Sequence, residues 1–140
     1  MFDAVETIAS GIAAARLRVN TLAANIANAE TTSTPEGGPY KARHVVQVAQ
    51  DVPGTFSDAL ERMTLKRPMV SAVVEDSTEP RKVYEPGHPN ADAQGYVAYP
   101  NINVVSTMTD LMSATRQYQS AVTAMDTLKD LREATGKIIA

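Results

Sequence analysis

The chain contains near its start the periodic segment VETIASGIAAARLRVNTLAANIANA, residues 5–29, whose larger residues and alanines recur at alternating steps of three and four. The positions on this stripe are Val5, Ile8, Ile12, Ala15, Val19, Leu22, Ile26 and Ala29. Steps of three and four are the heptad spacing of helices that pack as coiled coils. Alanine fills much of the rest, and no proline occurs before Pro35. We therefore expect a helix from about Asp3 to Asn28, roughly 40 Å long at ~1.5 Å per residue.

A second periodic segment lies at the other end of the chain. Its stripe alternates steps of four and three and then takes a further step of three after Met125. The stripe consists of Val104, Met108, Leu111, Thr115, Tyr118, Val122, Met125, Leu128 and Leu131. We expect a helix from about Asn103 to Lys137. Each helix has one narrow stripe, so the two stripes are best buried against each other. The sequence predicts a mainly α fold in which long N- and C-terminal helices pair as a coiled-coil-like hairpin around a small β-rich insert.

The middle of the chain has a different composition. Seven of the eight prolines lie between Pro35 and Pro89, so the first helix cannot continue. Short β-branched or aromatic runs bounded by Pro, Gly or Asp predict strands. These runs are Val45 to Val48, Val70 to Val74, Lys82 to Tyr84 and Tyr96 to Tyr99. A turn or two of helix is predicted from Phe56 to Met63. We therefore divide the chain into a helical domain, made of residues 1–30 and 101–140, and an insert of residues 31–100.

Composition excludes several classes of protein. The 140 residues include no cysteine, which rules out disulfides, thiolate zinc sites and cysteine nucleophiles. The net charge is only −3 and the charges are scattered, which argues against nucleic acid as a partner. No apolar run reaches the ~18 residues of a membrane span. Asp3 and Glu6 stand where a secretory signal would carry basic residues, so we expect no cleaved signal peptide.

Few side chains in the sequence are suited to catalysis. The two histidines, His44 and His88, have no partner at helical metal-ligand spacing, and a metal site would have to recruit carboxylates such as Asp92. Glu75 with Asp76, or Glu85 with Asp92, could form the acid pair of a glycoside hydrolase, but nothing predicts their separation. No P-loop or serine nucleophile motif is present. We expect no enzyme activity, no metal and no cofactor.

Three asparagines, Asn20, Asn25 and Asn28, cluster toward the end of the first predicted helix. Asparagine favours caps and turns because its amide competes for backbone hydrogen bonds. One interpretation is that Asn28 caps the helix while the other two lie on its solvated face. The other is that Asn25, beside Ile26, binds a neighbouring chain and fixes register, as single polar residues do in coiled coils. The residues alone leave both open.

A tyrosine-rich segment, YEPGHPNADAQGYVAYPNIN at residues 84–103, leads into the second helix. Three prolines stiffen it, and two glycines permit turns. Tyr84, Tyr96 and Tyr99 supply most of the aromatic area of the chain. The segment is either an ordered loop packed on the insert or a contact between subunits, where tyrosine is common.

These features together resemble the flagellar axial proteins that build rod and hook, and most closely their proximal rod members. The resemblance rests on the heptad helix ending in Asn25-Ile26-Ala27-Asn28, on Gly38-Pro39-Tyr40, on Tyr84-Glu85-Pro86-Gly87-His88-Pro89 with Ala91-Asp92, on Gly95-Tyr96-Val97 and Pro100-Asn101, and on Ala114, Arg116, Tyr118 and Gln119. It covers nearly the whole chain. Two positions depart from the family pattern: Thr107 stands where Glu is usual, and Ala121 where Asn usually follows the Tyr-Gln pair.

The resemblance implies a structural subunit of the bacterial flagellar basal body, exported unfolded by the flagellar type III apparatus and assembled into the rod that crosses the periplasm. Its terminal helices would form the inner layer of a tubular drive shaft that transmits torque and encloses the export channel. Expected partners are other proximal and distal rod proteins, the rod-base adaptor, and the export gate or membrane ring, all of them contacts with protein.

The resemblance also implies roles for individual residues. Helix packing and assembly are assigned to Val5, Ile8, Ile12, Val19, Leu22, Ile26, Met108, Leu111, Tyr118, Val122 and Met125. Polar contacts between subunits are assigned to Asn25, Asn28, Arg116 and Gln119. The alternative function is a soluble coiled-coil adaptor or export chaperone. A third is a wall-cleaving hydrolase that uses Glu75, Glu85 and Asp92.

Overall fold

The structure, a computed structural model, describes residues 2–51 and 66–139 and contains two helices and four strands within them. In chain order these are α1 (Phe2–Ala27), β1 (Arg43–Asp51), β2 (Lys66–Glu75), β3 (Arg81–Tyr84), β4 (Tyr96–Tyr99) and α2 (Val104–Ile139). Each of the four predicted strand segments lies inside an observed strand. Both ends of each helix lie within two residues of the predicted ends. The helical turns predicted from Phe56 to Met63 lie outside the described residues.

The start of α2 is fixed by a side-chain cap. Asn103 Oδ1 accepts a hydrogen bond of 3.1 Å from the backbone N–H of Ser106, and the Asn103 carbonyl accepts one of 2.9 Å from the N–H of Thr107. Asparagine at the N-cap satisfies an N–H group that has no partner within the helix. Only Pro100 to Asn103 lie between the end of β4 and the start of α2, so the connection between strand and helix is short.

Strands β1 and β2 form a long antiparallel hairpin that lies along α1. Arg43 pairs with Glu75 and Asp51 with Lys66, with a bulge between Val46 and Gln47. The bulge leaves one extra residue on β2, which bends the ladder locally. Both strands contact α1. A two-stranded sheet is marginally stable alone, so α1 supplies the surface on which it folds.

Strands β3 and β4 form a second, shorter antiparallel sheet. Arg81 pairs with Tyr99 and Tyr84 with Tyr96. Val97 at the centre of β4 is fully buried, and Pro100 just after it is also buried. The rings of Tyr84 and Tyr96 meet edge to face with centroids 5.4 Å apart, an arrangement that aromatic pairs favour. The tyrosine-rich segment is therefore an ordered hairpin.

The predicted fold class is wrong in its central feature. The described residues contain two helices, two small two-stranded sheets and a long C-terminal helical extension, and they do not form a clear coiled-coil hairpin. The helices contact each other, but they have 26 and 36 residues. Three stripe positions of α2, Val104, Met108 and Leu131, are exposed. Because α1 also carries the β1–β2 hairpin, its apolar face is shared between two neighbours.

The orientation of the helices follows from what lines the space between them. A cavity of about 330 Å³ is bounded by Arg18 and Leu22 of α1, Val45 of β1 and Asp110 of α2. The C-terminal part of α1 therefore lies beside the N-terminal part of α2. Partial burial on α2 continues as far as Leu128 and ends there. The helices thus run antiparallel, and the last turns of α2 extend past the start of α1.

The core is made of small side chains. The buried apolar residues of the described segments are Ala14, Ala15, Ala42, Val97, Pro100 and Ala114. Small side chains let helices and strands approach closely, but they remove little apolar area from water. Part of the unusually high alanine content, 21 of 140 residues, therefore forms this core. Within the described residues, neither helix is long and apolar enough to cross a membrane.

Candidate assembly interface

The predicted packing residues of α1 share an intermediate degree of burial. Val5, Ile8, Ile12, Val19, Leu22 and Ile26 are all partly buried. The buried positions of the helix are instead Ala14, Ala15, Thr21 and Asn25. The larger stripe residues therefore retain exposed surface, which other chains can cover.

The predicted α2 packing residues divide into two groups. Leu111, Tyr118, Val122 and Met125 are partly buried, and Ala114 between them is fully buried. Met108 is 52% exposed. It belongs with Val105 and Met112, which are 76% and 59% exposed, because steps of three and four place all three on one side of a helix. We name these three residues the outer stripe of α2.

The outer stripe lies on the side of α2 away from its buried contact. At about 100° per residue, Ala114 lies roughly opposite the centre of the stripe. Three large apolar side chains exposed side by side on a helix are a feature of interaction surfaces. The packing residues predicted from the sequence do not include Val105 and Met112, although their spacing from Met108 was a sufficient signal.

Asn25 is enclosed within its own chain. It is 2% exposed. Its Nδ2 donates a hydrogen bond of 2.8 Å to the Arg43 carbonyl, while its Oδ1 accepts one of 2.9 Å from the Arg43 backbone N–H and one of 3.1 Å from the Tyr40 hydroxyl. The side chain therefore joins α1 to the first residue of β1. Neither alternative considered for Asn25 from sequence included this contact.

Asn28 closes the C-terminus of α1. Its Nδ2 donates to the Ala24 carbonyl at 2.9 Å, and its Oδ1 accepts from the Thr31 hydroxyl at 3.2 Å. The Asn28 backbone carbonyl accepts from the Thr31 N–H at 3.1 Å. These bonds satisfy groups that the helix end would leave without partners. The geometry agrees with the interpretation of Asn28 as a cap.

Arg116 and Gln119 lie on an exposed face of α2. They border a shallow surface together with Ser120, Thr123 and Thr127. This surface continues the face of the outer stripe along α2, because Arg116 and Gln119 lie four and seven residues after Met112, and its other residues are small and mostly polar. Both side chains are therefore accessible for polar contacts with another chain.

A second set of contacts between α1 and the β1–β2 hairpin involves residues that were not predicted from the sequence. The Ser10 hydroxyl donates to the Pro68 carbonyl, and Arg67 forms an ion pair with Glu6. Ser10 and Pro68 are 58 positions apart. No local pattern marks such a pair, because a serine in a helix and a proline in a strand carry no signal of each other.

The carboxylates considered for catalysis all have structural partners. Glu75 pairs with Arg43 at 3.2 Å. Glu85 accepts a hydrogen bond of 2.9 Å from the Tyr99 hydroxyl, which raises the pKa of Tyr99. Asp92 Oδ1 accepts from the backbone N–H groups of Gln94 and Tyr96, as in an Asx turn.

The two histidines also lie apart. His44 Nε2 is 3.6 Å from Asp76 Oδ2, and His88 Nδ1 accepts a hydrogen bond of 3.1 Å from the Asn90 N–H. In the part of the chain that the structure describes, no three His, Cys, Asp or Glu residues are grouped to hold a metal ion. Neither histidine is therefore part of a metal centre among the described residues.

Comparison with known proteins gives two matches to protein families. Residues 5–33 match the family described as flagella basal body rod protein. Residues 93–138 match the C-terminal family of flagellar basal body rod FlgEFG proteins. The first match covers most of α1 and the second covers β4 and nearly all of α2.

Curated relatives are similar over almost the whole chain. Identity to the flagellar basal-body rod protein FlgC of Salmonella typhimurium is 38% over 122 residues, covering 87% of this chain and 85% of the relative. Identity to FlgC of Bacillus subtilis is 33% over 140 residues, covering 93% and 92%. Identity to FlgC of Aquifex aeolicus is 34% over 137 residues, covering 96% and 94%.

Proposed function

The chain belongs to the FlgC family of flagellar basal-body rod proteins, and from this membership we propose how it is built into the rod. It is a structural subunit of the basal-body rod, and its family associates with other basal-body components. We propose that residues 1–30 and 101–140 form the part that assembles, and that residues 31–100 lie further from the axis of the rod. In this arrangement the terminal helices line a tube that transmits torque and encloses an export channel.

The outer stripe of α2 is the observation that carries this proposal. Val105, Met108 and Met112 present more than half of their surface to solvent, although methionine and valine are normally buried residues. In a subunit of a larger assembly these side chains become buried when a neighbour packs on α2. Subunits thereby supply the apolar burial that the alanine-rich core lacks.

We propose that the neighbours are proximal and distal rod proteins, the rod-base adaptor, and the export gate or membrane ring. The rod position lies in the periplasm, and the subunit is exported by the flagellar type III apparatus without a cleaved signal peptide. The adaptor or chaperone alternative receives no support from the relatives reported above, which are rod proteins.

The test replaces two stripe residues by charge. A Met108→Glu, Met112→Glu variant should be exported but absent from purified basal bodies, and its cells should be non-motile, because assembly would bury unpaired carboxylates. Ser113→Glu is the matched control, since Ser113 is exposed and lies about 100° around the helix from Met112. Normal rods in the double variant, or equal loss in the control, would contradict assembly through this stripe.

A further inference from the structure

We infer that Asn25 is the residue that positions the β1–β2 hairpin on α1, as one end of a two-point clamp. Its amide donates to the carbonyl and accepts from the N–H of the same residue, Arg43. A residue on a neighbouring antiparallel strand makes this same pair of bonds. The side chain of a helical residue therefore takes the place of a strand at the first residue of β1. Its enclosure keeps water from competing for these bonds.

The other end of the clamp is formed by Ser10, with Glu6 beside it. Ser10 binds the carbonyl of Pro68, which pairs with Ala49 across the hairpin. Glu6 binds the neighbouring Arg67. The hairpin is thus held near its start by Asn25 and near its far end by Ser10.

The distance between Ser10 and Asn25 matches the length of the hairpin only when α1 is helical. Fifteen residues separate Ser10 from Asn25, which span about 22 Å as an α-helix but about 50 Å as an extended chain. Along β1, six residues separate Arg43 from Ala49, a span of about 20 Å. Both ends of the clamp therefore close together only when residues 10–25 are helical.

Contacts at both ends of the hairpin fix its direction along α1, whereas a single contact would leave the hairpin free to rotate about that point. The face of the hairpin that carries Val46, Val48, Met69 and Val74 is exposed, so in the described residues the hairpin is supported from the α1 side. The clamp makes placement of the hairpin depend on the helical state of α1. Its importance for the rod rests on the proposed function, but the clamp itself does not.

Site-resolved amide exchange on the full-length chain tests the clamp. In Asn25→Ala, exchange of the Arg43 amide and its β1 neighbours should rise about tenfold or more, the change implied by loss of a buried hydrogen bond. Exchange in α2 near Tyr118 should stay as in the wild type. Asn28→Ala is the matched control, because Asn28 bonds only to Ala24 and Thr31 in the contacts described above, and it should leave β1 unchanged.

A second variant keeps the inference testable if Asn25→Ala fails to fold. Ser10→Ala should raise exchange at the far end of the hairpin, at Gln50 and Arg67, while the Arg43 amide stays protected. An unchanged Arg43 amide in Asn25→Ala, or an equal rise throughout the chain in either variant, would overturn the clamp. If exchange changes as expected but cells remain motile, the clamp stands and its importance for the rod is refuted. Loss of rods in the outer-stripe variant is a separate result.

Discussion

A Cβ atom on Gly95 would lie 2.9 Å from the ring atom Cε2 of Tyr84. Real Cβ atoms do not approach other atoms so closely. Gly95 also has a φ of +82°, in the left-handed region that glycine occupies without strain. Its N–H donates to the Asp92 carbonyl, and its carbonyl accepts from the Glu85 N–H, both at 2.9 Å. The return from β3 to β4 therefore requires glycine at this position.

We expect Gly95→Ala to lower the free energy of unfolding by about 2–4 kcal/mol, since strain in the left-handed region adds to overpacking against Tyr84. Urea unfolding measures this change. Gly87→Ala is the control, because Gly87 has negative φ and a Cβ atom added there would meet no other atom within 4 Å, and it should change stability by no more than about 0.5 kcal/mol. Equal effects at both glycines would show that the contact with Tyr84 is unimportant.

Ala114 limits how closely α2 packs, because its side chain is completely buried. Ala114→Leu should cost about 1–3 kcal/mol by forcing neighbouring side chains and backbone apart. Ala124→Leu places the same side chain at an exposed position of the same helix and should stay within about 0.5 kcal/mol of the wild type. Thermal unfolding of both variants makes the comparison. A stable Ala114→Leu variant would mean that the helices have room for larger residues.

The sequence predicts the helices and strands better than their packing. Periodicity and the scarcity of proline are local signals, and they placed α1 and α2 within two residues at each end. The predicted coiled-coil hairpin was wrong because a stripe shows which side of a helix is apolar without showing what covers it. Leu22, for example, lines a cavity shared by α1, β1 and α2. A heptad pattern cannot distinguish this environment from a coiled coil.

Long-range hydrogen bonds set a similar limit for the candidate site. The sequence singled out Asn25 because asparagine is unusual inside a helix, but its partner Arg43 is 18 positions away. Asn28, by contrast, binds within four residues, and local preference was enough to offer capping as one of two interpretations. Contacts across the fold depend on where the hairpin lies, and composition and spacing do not encode that placement.

Stability should depend on pH through Asp76. Hydrogen bonds from the Thr78 hydroxyl and then the Thr78 N–H lower the pKa of Asp76 below its usual 3.8, and His44 lowers it further. Because the folded pKa is the lower one, this stabilisation is present above pH 3.8 and is lost as the pH falls through the folded pKa. Carboxyl NMR should show the lowered value, and Thr78→Val should return it toward 3.8. A pKa of Asp76 that is equal in both proteins would contradict this cause.

Removing the last turns of α2 should distinguish a role in folding of the subunit from a role in assembly of the rod. Residues 131–137 are all exposed, including Leu131. A chain ending at Asp130 should therefore keep the free energy of unfolding within about 0.5 kcal/mol of the wild type. A chain ending at Ser120 loses the partly buried Val122 and Met125, and should lose more than about 2 kcal/mol.

In cells, the chain ending at Asp130 should be present and folded but should not form rods, because an exposed helix end that extends past α1 can be covered only by another subunit. Urea unfolding of the purified chain and recovery of basal bodies give the two measurements. Full motility with the shorter chain would remove this helix end from the assembly surface. A large loss of stability would instead place it in the fold of the single subunit.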